Sequence, residues 1–156
     1  MLPLKKILCP TDFSDPSFAA LRTADELAGQ YGAELILVYA APAVPVFPAP
    51  AEGTVVATTT FNVPEYQKEM DAHATELLDK TVRDHVSEGI SAQTRIIHED
   101  PATGVLDLAD TEGVDLIVIA THGRSGWRRF LFGSVAAKVV RYSTCPVLTI
   151  RPPQED

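Results

Sequence analysis

The sequence predicts an α/β protein with an open parallel sheet that is covered by helices on both faces. Three observations lead to this prediction. Short apolar runs alternate with segments of helical spacing, Asp-Pro pairs stand where helices would begin, and glycines stand where they would end. The alternation amounts to five strands and four helices, and right-handed crossovers between parallel strands place helices on both faces. At 156 residues, the chain is expected to form a single domain, residues 1–156.

The first third of the chain predicts a strand, a helix and a second strand. The apolar run at residues 5–10 is the first strand, and Asp15-Pro16 offers a cap followed by proline at the first helical position. Gly32 supplies the helix stop, and residues 34–40 are apolar on both faces, as in a strand covered on each side. The residues expected to face inward from the helix are Ala20, Ala24, Leu27, Ala28 and Tyr31.

The middle of the chain is first rich in proline and polar residues, and is then predicted to form a helix. Residues 41–63 hold four prolines and a polar "TTT", which predicts a long, mobile loop. A helix is expected from about Glu65 to Glu88, with Gly89 ending it, and residues 90–98 mix polar and apolar residues as an edge strand does. The residues expected to face inward from this helix are Met70, Ala74, Leu77, Leu78 and Val82.

The last third repeats the pattern. Asp100-Pro101 starts a third helix that Gly113 closes, and Val105, Leu106 and Ala109 form its apolar stripe. The remaining predicted elements are the very apolar strand at 114–120, a short helix at 134–143, a last strand at 145–151 and a disordered tail at 152–156.

Charge and hydropathy exclude several classes of protein. Thirteen Lys and Arg against 21 Asp and Glu give a net charge of −8, so attraction to nucleic acid or to an anionic membrane is not expected. No apolar stretch reaches the roughly 20 residues of a membrane helix, and Lys5 and Lys6 precede too few apolar residues for a signal peptide. We therefore expect a cytoplasmic location, and we expect Cys9 and Cys145, which lie in or beside apolar runs, to be buried thiols.

Open parallel sheets bind ligands beyond the carboxyl ends of their strands, where strand order reverses. Thr11 and Asp12, in "PTDFS", follow the first strand and would stand at that edge. Two interpretations of Asp12 remain open. Its carboxylate either shapes the turn by accepting backbone N–H groups, or accepts hydrogen bonds from sugar hydroxyls or the amino group of a base.

The loop "ATHGRSGWRRFLFGS", residues 120–134, is the stronger candidate for a binding site. Glycines can turn successive amides toward one anion, and Ser134 begins a helix whose positive end attracts phosphate. Arginines add charge with no carboxylate in the loop, so the loop predicts an anion site. The alternative is a solvated basic face or a surface for a protein partner. The glycines are Gly123, Gly126 and Gly133, and the arginines are Arg124, Arg128 and Arg129.

Several catalytic motifs are absent from the sequence. There is no GxxxxGK[ST] phosphate loop, no GxGxxG after the first strand, no histidine or cysteine spacing typical of zinc, and no GxSxG nucleophile elbow. Without a general base or nucleophile beside the anion site, the protein is not expected to be an enzyme.

Three stretches together carry a resemblance. "ILCPTDFSDPS", "EDPATGVLDLADTEGVDLIVIATHGRSG" and "FGSVAAKVVRYSTCPVLTI" resemble the universal stress protein (UspA-like) family, from Lys5 to Arg151. The resemblance implies the Rossmann-like fold of the adenine nucleotide alpha-hydrolase type, with strand order 3-2-1-4-5 and the switch between strands 1 and 4. It also implies a homodimer formed through the C-terminal strand, an unknown protein partner and a role in stress response.

ATP-binding members of that family have the pattern glycine, two residues, glycine, nine residues, glycine and Ser or Thr. Gly123, Gly133 and Ser134 match it, whereas Ala120 stands at the first glycine. The resemblance implies ATP, with Mg²⁺ or Mn²⁺ bridging its phosphates, in a nucleotide-dependent regulatory or protective module. The alternatives are an interaction module that binds no nucleotide and a slow ATPase. The implied ATP-binding residues are Pro10, Thr11, Asp12, Ala40, Gly123, Arg124, Gly126, Gly133, Ser134 and Val135.

Overall fold

A computed structural model describes residues 3–42, 62–122 and 133–151. These residues form a five-stranded, fully parallel sheet in the order β3-β2-β1-β4-β5, which confirms the predicted fold and strand order. The elements are β1 Lys6–Thr11, α1 Asp15–Tyr31, β2 Glu34–Ala40, α2 Val63–His85, β3 Ala92–Ile97, α3 Pro101–Glu112, β4 Leu116–Ala120, α4 Ser134–Tyr142 and β5 Val147–Ile150.

Strand β1 lies at the centre and pairs with β2 on one side and with β4 on the other. The chain winds outward from β1 through β2 to β3, and then returns to the other side of β1 for β4 and β5. Helix α1, which follows β1, and helix α4, which follows β4, therefore pack on opposite faces of the sheet, and a crevice opens at the carboxyl ends of these two strands.

Successive side chains of each strand point to opposite faces of the sheet, and this divides the core into two layers. Ile7 and Cys9 of β1 face α1 and α2, whereas Leu8 between them faces α3 and α4. The interiors of the three central strands, β1, β2 and β4, are thus buried on both sides, which is why these strands are continuous apolar runs. The Cys9 thiol is fully buried, and burial raises its pKa to about 12, so it behaves as a small apolar side chain. Cys145 is half-buried, and neither cysteine forms a disulfide.

The helix starts are set by caps that the sequence only partly revealed. Asp100 caps α3 as predicted, since its carboxylate accepts from the Thr103 N–H at 3.2 Å. The cap of α1 is Ser14 rather than Asp15, because the Ser14 hydroxyl accepts the Ser17 N–H and Asp15 is already helical. Gly32 and Gly113 end α1 and α3 in the left-handed conformation, as predicted.

Two details of the helices differ from the expectation. Helix α2 ends at His85 with Val86 as its C-cap, so Gly89 lies in the following turn with φ of 90° instead of ending the helix. The reason is tertiary: Asp25 of α1 accepts hydrogen bonds from the Ser87 N–H at 2.8 Å and the Ser87 hydroxyl at 2.6 Å, which holds the chain at that point. Tyr31, expected to face inward, is 40% exposed because it lies in the last turn of α1, beyond the core.

At the amino end of the sheet, charged side chains form hydrogen bonds and ion pairs that connect neighbouring elements. Asp115, just before β4, accepts from the backbone N–H groups of Lys5 at 2.8 Å and Lys6 at 3.0 Å, and these two bonds hold its pKa below the usual range. The Lys6 ammonium reaches the Glu112 carboxylate at 3.2 Å, and the Arg95 guanidinium lies 3.0 Å from the same residue. Arg95 first, and Lys6 second, lower the pKa of Glu112.

The predicted loop at 41–63 lies mostly outside the described residues, since 43–61 are not described and α2 begins at Val63. The expected tail, 152–156, also lies outside them. Among the helices of the described ranges, none has the length and apolar character that crossing a membrane requires.

Candidate functional site

A cleft of about 340 Å³ opens at the carboxyl ends of β1 and β4, where the strand order reverses. This is within the size range of small-molecule sites in proteins. Its lining residues come from the ends of β1, β2 and β4 and from the first turns of α1, α3 and α4. They are Pro10, Thr11, Asp12, Ser17, Val38, Tyr39, Ala40, Pro101, Val105, Ile119, Ala120, Thr121, His122, Gly133, Ser134, Val135 and Ala136.

One wall of the cleft is the turn from β1 into α1. The Thr11 hydroxyl is buried, bonds to the Ser17 hydroxyl at 3.0 Å and accepts the Phe13 N–H at 3.0 Å. Asp12 Oδ1 accepts the Ser14 N–H at 3.0 Å and also a hydrogen bond from the Ser14 hydroxyl. Asp12 therefore shapes the turn, as one interpretation expected, and it also lines the cleft, as the other required.

The opposite wall is the beginning of α4. The Gly133 N–H donates to the backbone oxygen of Thr121 at 2.6 Å, which brings the helix start against the end of β4. A Cβ at Gly133 would lie 3.3 Å from that same oxygen and 4.0 Å from the Cα of His122. A side chain here would therefore be a tight fit against the backbone of Thr121, and this close approach rather than the φ of −67° is what favours glycine.

The start of α4 differs from the other helix starts. Side chains of Ser14, Asn62 and Asp100 cap α1, α2 and α3, whereas Gly133 provides no side-chain hydrogen bond to α4. The first N–H groups of a helix have no partner within the helix, and they carry the positive end of its dipole. In the described part of the chain, α4 is therefore the helix that lines the cleft without a side-chain cap at its start.

Ala120 lies at the end of β4, and its methyl group belongs to the apolar cluster between the sheet and α1, with Cys9 and Val118. Ile119, one residue earlier, faces the α3 and α4 side instead. The methyl group of Ala120 is therefore directed into the core behind β4, away from the start of α4.

The floor of the cleft is apolar. Val38 and Ile119 belong to the cluster under α3 and α4, and Val105 of α3 covers them. Such a floor suits the flat face of an aromatic ring better than a charged group. Tyr39 and Ala40, at the end of β2, line the cleft beside this floor.

The predicted site residues divide into two groups. Gly123, Arg124 and Gly126 lie outside the described residues, as do Arg128 and Arg129. The others meet in the one cleft although they come from three separate parts of the chain: they are Pro10, Thr11, Asp12, Ala40, Gly133, Ser134 and Val135.

Sequence reasoning missed several lining residues. Ser17, Pro101 and Val105 were interpreted only as parts of helices, and the sequence carried no signal that their first turns face the crevice. His122 also lines the cleft, with its Nδ1 at 2.9 Å from the Thr121 hydroxyl. Within ranges 3–42, 62–122 and 133–151, no group of three His, Cys, Asp or Glu side chains could hold a metal ion.

The sheet topology and the cleft define a class of protein: a doubly wound α/β protein with a cleft at its topological switch point. A model of the universal stress protein family matches residues 3–151. The chain belongs to the universal stress protein family.

Individual relatives agree with this assignment. The chain is 32% identical over 152 residues to universal stress protein MJ0531 of Methanocaldococcus jannaschii, which covers 97% of this chain and 85% of that protein. Among solved structures, universal stress protein UspA from Lactobacillus plantarum is 26% identical with a TM-score of 0.74, over 95% of this chain and 98% of that one. A universal stress protein in complex with cAMP is also 26% identical, with a TM-score of 0.57, over 94% of this chain and 96% of that one.

Proposed function

We propose that this protein binds ATP in the cleft between β1 and β4 and acts as a cytoplasmic, nucleotide-dependent regulatory or protective module in the stress response. The chain would work as a single domain. The observation that carries the proposal is the meeting of Asp12, at one wall, with the uncapped start of α4 at the other, across a cleft of ligand size. The relative that is 26% identical and solved in complex with cAMP supports an adenine nucleotide as the ligand class.

The base and ribose would occupy the side of the cleft that β1 and β2 form. Asp12 would accept hydrogen bonds from ribose hydroxyls or the base amino group, beside Pro10 and Thr11. The backbone around Ala40 would border the adenine ring, and the apolar floor of Val38 and Val105 would receive its face.

The phosphates would lie at the start of α4. The amides of Ser134 and Val135 would donate to phosphate oxygens, because the end of the helix offers both donors and positive charge. Gly133, whose N–H already donates to Thr121, would line the phosphate site without a side chain. Gly123, Arg124 and Gly126 are proposed to complete this cradle. The Ala120 methyl group, which packs toward α1, does not reduce the space in front of these amides.

A divalent ion, Mg²⁺ or Mn²⁺, would bridge the phosphate oxygens, with the nucleotide supplying most of its ligands. Among the described residues that line the cleft, Asp12 is the carboxylate, and its Oδ1 already accepts two hydrogen bonds from Ser14. We therefore expect binding without fast hydrolysis, because rapid phosphoryl transfer needs a group that orients or deprotonates the attacking water.

We also propose a homodimer through β5. This strand is at the sheet edge, Leu148 on it is 37% exposed, and Val140 and Tyr142 of α4 are exposed nearby in the sequence. Pairing with a second copy would cover these apolar groups and the unpaired backbone of the edge. Light scattering on the purified protein tests it: a dimer that becomes a monomer in Leu148→Lys is expected, and a wild-type monomer would contradict it.

The first test of nucleotide binding is to denature the purified protein, identify any released nucleotide by mass, and titrate the emptied protein with ATP, with and without Mg²⁺. We expect released ATP or ADP and rebinding in the micromolar range. Gly133→Val should lower the affinity at least about 100-fold, because its side chain would displace the start of α4 from Thr121. Thermal unfolding should show that the variant still folds.

The alternative function is an interaction module that binds no nucleotide, for which Ala120 in place of the first motif glycine is the favouring observation. A clean extract without detectable ATP affinity would support that alternative. Hydrolysis that persists through purification and depends on Asp12 would favour a slow ATPase.

A further inference from the structure

The turn that carries Asp12 contains a bulky residue in an unfavourable backbone conformation. Phe13 has φ of 61°, and it is the one non-glycine residue with positive φ in the described parts of the chain. For a residue with a large side chain this conformation costs free energy, whereas glycine or asparagine adopts it more readily. A phenylalanine here must therefore contribute an interaction that offsets the cost.

That interaction is a contact between two aromatic rings. The Phe13 and Tyr39 ring centroids are 4.8 Å apart with planes tilted by 46°, which is a favourable geometry for an aromatic pair. Both rings are partly buried against the apolar cluster under α1. Tyr39 is in turn fixed by the sheet, since it lies beside Thr11 in the register of β1 and β2, and it lines the cleft.

The backbone on both sides of Phe13 is tied to the cleft residues. The Phe13 N–H donates to the Thr11 hydroxyl at 3.0 Å, and the next N–H, of Ser14, donates to the Asp12 carboxylate at 3.0 Å. A change of the Phe13 backbone to negative φ would move both N–H groups and so would release Asp12 from its position. The ring contact on Tyr39 opposes that change.

We infer that Phe13 is a positioning residue of the nucleotide site: its ring, packed on Tyr39, holds the left-handed turn that keeps the Asp12 carboxylate in the cleft. This inference rests on the proposed function and adds a residue that touches no ligand itself. It predicts that the aromatic pair contributes to ATP affinity through Asp12, and not through contact with the nucleotide.

The experiment is a set of ATP titrations with a double-mutant cycle. Phe13→Leu should weaken ATP binding about five- to tenfold, the size of one aromatic pair. Phe13→Tyr, which keeps the ring, should bind within about twofold of wild type. In an Asp12→Asn background, Phe13→Leu should add less than about twofold, because the group that it positions has lost its charge.

The matched control is Phe18→Leu, which removes another aromatic pair of the same helix region. Phe18 stacks on His85 with centroids 4.5 Å apart, and neither residue lines the cleft. This variant should lose stability to a similar degree as Phe13→Leu and keep the ATP affinity of the wild type. Amide hydrogen exchange without nucleotide gives a second readout: the N–H of Ser14 should exchange faster in Phe13→Leu and be unchanged in Phe18→Leu.

The outcomes separate the two proposals. If wild type binds ATP and Phe13→Leu binds equally well, Phe13 has no positioning role and the proposed function stands. If Phe13→Leu weakens binding just as much in the Asp12→Asn background, the ring acts independently of Asp12 and the inference is also wrong. A wild-type protein with no ATP affinity would overturn the proposed function, and this inference with it.

Discussion

The two ends of the parallel sheet differ in how their polar groups are bonded. At the amino end, Asp115 binds the backbone of Lys5 and Lys6, and Glu112 binds Lys6 and Arg95, so the strands and α3 are tied together. At the carboxyl end, polar groups line a cleft and one helix start has no side-chain cap. Among the described residues, the charges at the first end are paired with one another or with the backbone, whereas the helix start at the second end has no side-chain cap.

The topology itself produces this difference. Each helix runs antiparallel to the strands that it connects, so the positive helix starts collect at the carboxyl end and the negative helix ends at the amino end. Cations favour the latter, and the Lys6 ammonium indeed donates to the backbone oxygen of Glu112, the last residue of α3, at 3.0 Å. Anions favour the former. Substitutions should therefore separate stability from binding according to the end at which they fall.

The largest contrast is expected from removing one negative charge at each end. Asp12→Asn should lower ATP affinity about 10- to 100-fold, the range for a hydrogen bond to a charged group, while its remaining oxygen still accepts the Ser14 N–H. Asp115→Asn should leave the affinity unchanged, since its amide oxygen still accepts from Lys5 and Lys6 and it is remote from the cleft. Calorimetric titration of both variants measures this, and equal losses would refute the separation.

A tightly packed contact beside the cleft should affect stability. A Cβ at Gly104 would lie 2.5 Å from Ile97 Cδ1 and 3.3 Å from its Cγ1, so Gly104→Ala forces the Ile97 side chain to move. The overpacking between α3 and β3 outweighs the gain in helix propensity, and the net loss of stability should be up to about 2 kcal/mol. Urea unfolding measures the loss. Adding Ile97→Val removes the closest atom and should restore part of the stability, and no recovery in the double variant would contradict the packing explanation.

At the amino end, the cap of α3 should affect stability without affecting binding. Gly113 has φ of 64° and open space around its Cα, so Gly113→Ala meets no clash and its cost, roughly 1–2 kcal/mol, comes from the left-handed backbone alone. Gly113→Asn should cost less because asparagine tolerates this conformation. The same urea series, with ATP titration as the control for binding, distinguishes this backbone effect from a change in the cleft.

The smallest expected effect is the loss of folding stability when the pH is lowered. Arg95 and Lys6 lower the pKa of Glu112 below its usual value of 4.5 in the folded protein, so the unfolded chain takes up the proton first as the pH falls. The stability that this pairing contributes is present above pH 4.5 and is lost as the pH falls through the folded pKa. Urea midpoints of Glu112→Gln should therefore decline less steeply below that pH than those of wild type. Glu76→Gln, at an exposed position of α2, should show the wild-type slope.

Local sequence patterns were sufficient to predict many of the secondary-structure elements and helix ends of this protein. The continuous apolar runs of β2 and β4, the cap at Asp100 and the left-handed stops at Gly32 and Gly113 depend on neighbours a few residues away, and all were predicted. The same holds for the position of Asp12 directly after β1, at the end of the sheet where the cleft opens.

Other features were decided only by the tertiary structure. Helix α2 ends at His85, before the predicted Gly89, because Asp25 of α1, 62 positions away, accepts hydrogen bonds from Ser87 just after the helix. The close approach of Gly133 to Thr121, the direction of the Ala120 methyl group and the contact between Phe13 and Tyr39 likewise follow from packing between distant segments. A sequence displays propensities that act over a few residues, whereas the cleft depends on which segments meet, and that is set by the burial of two apolar layers around one twisted sheet.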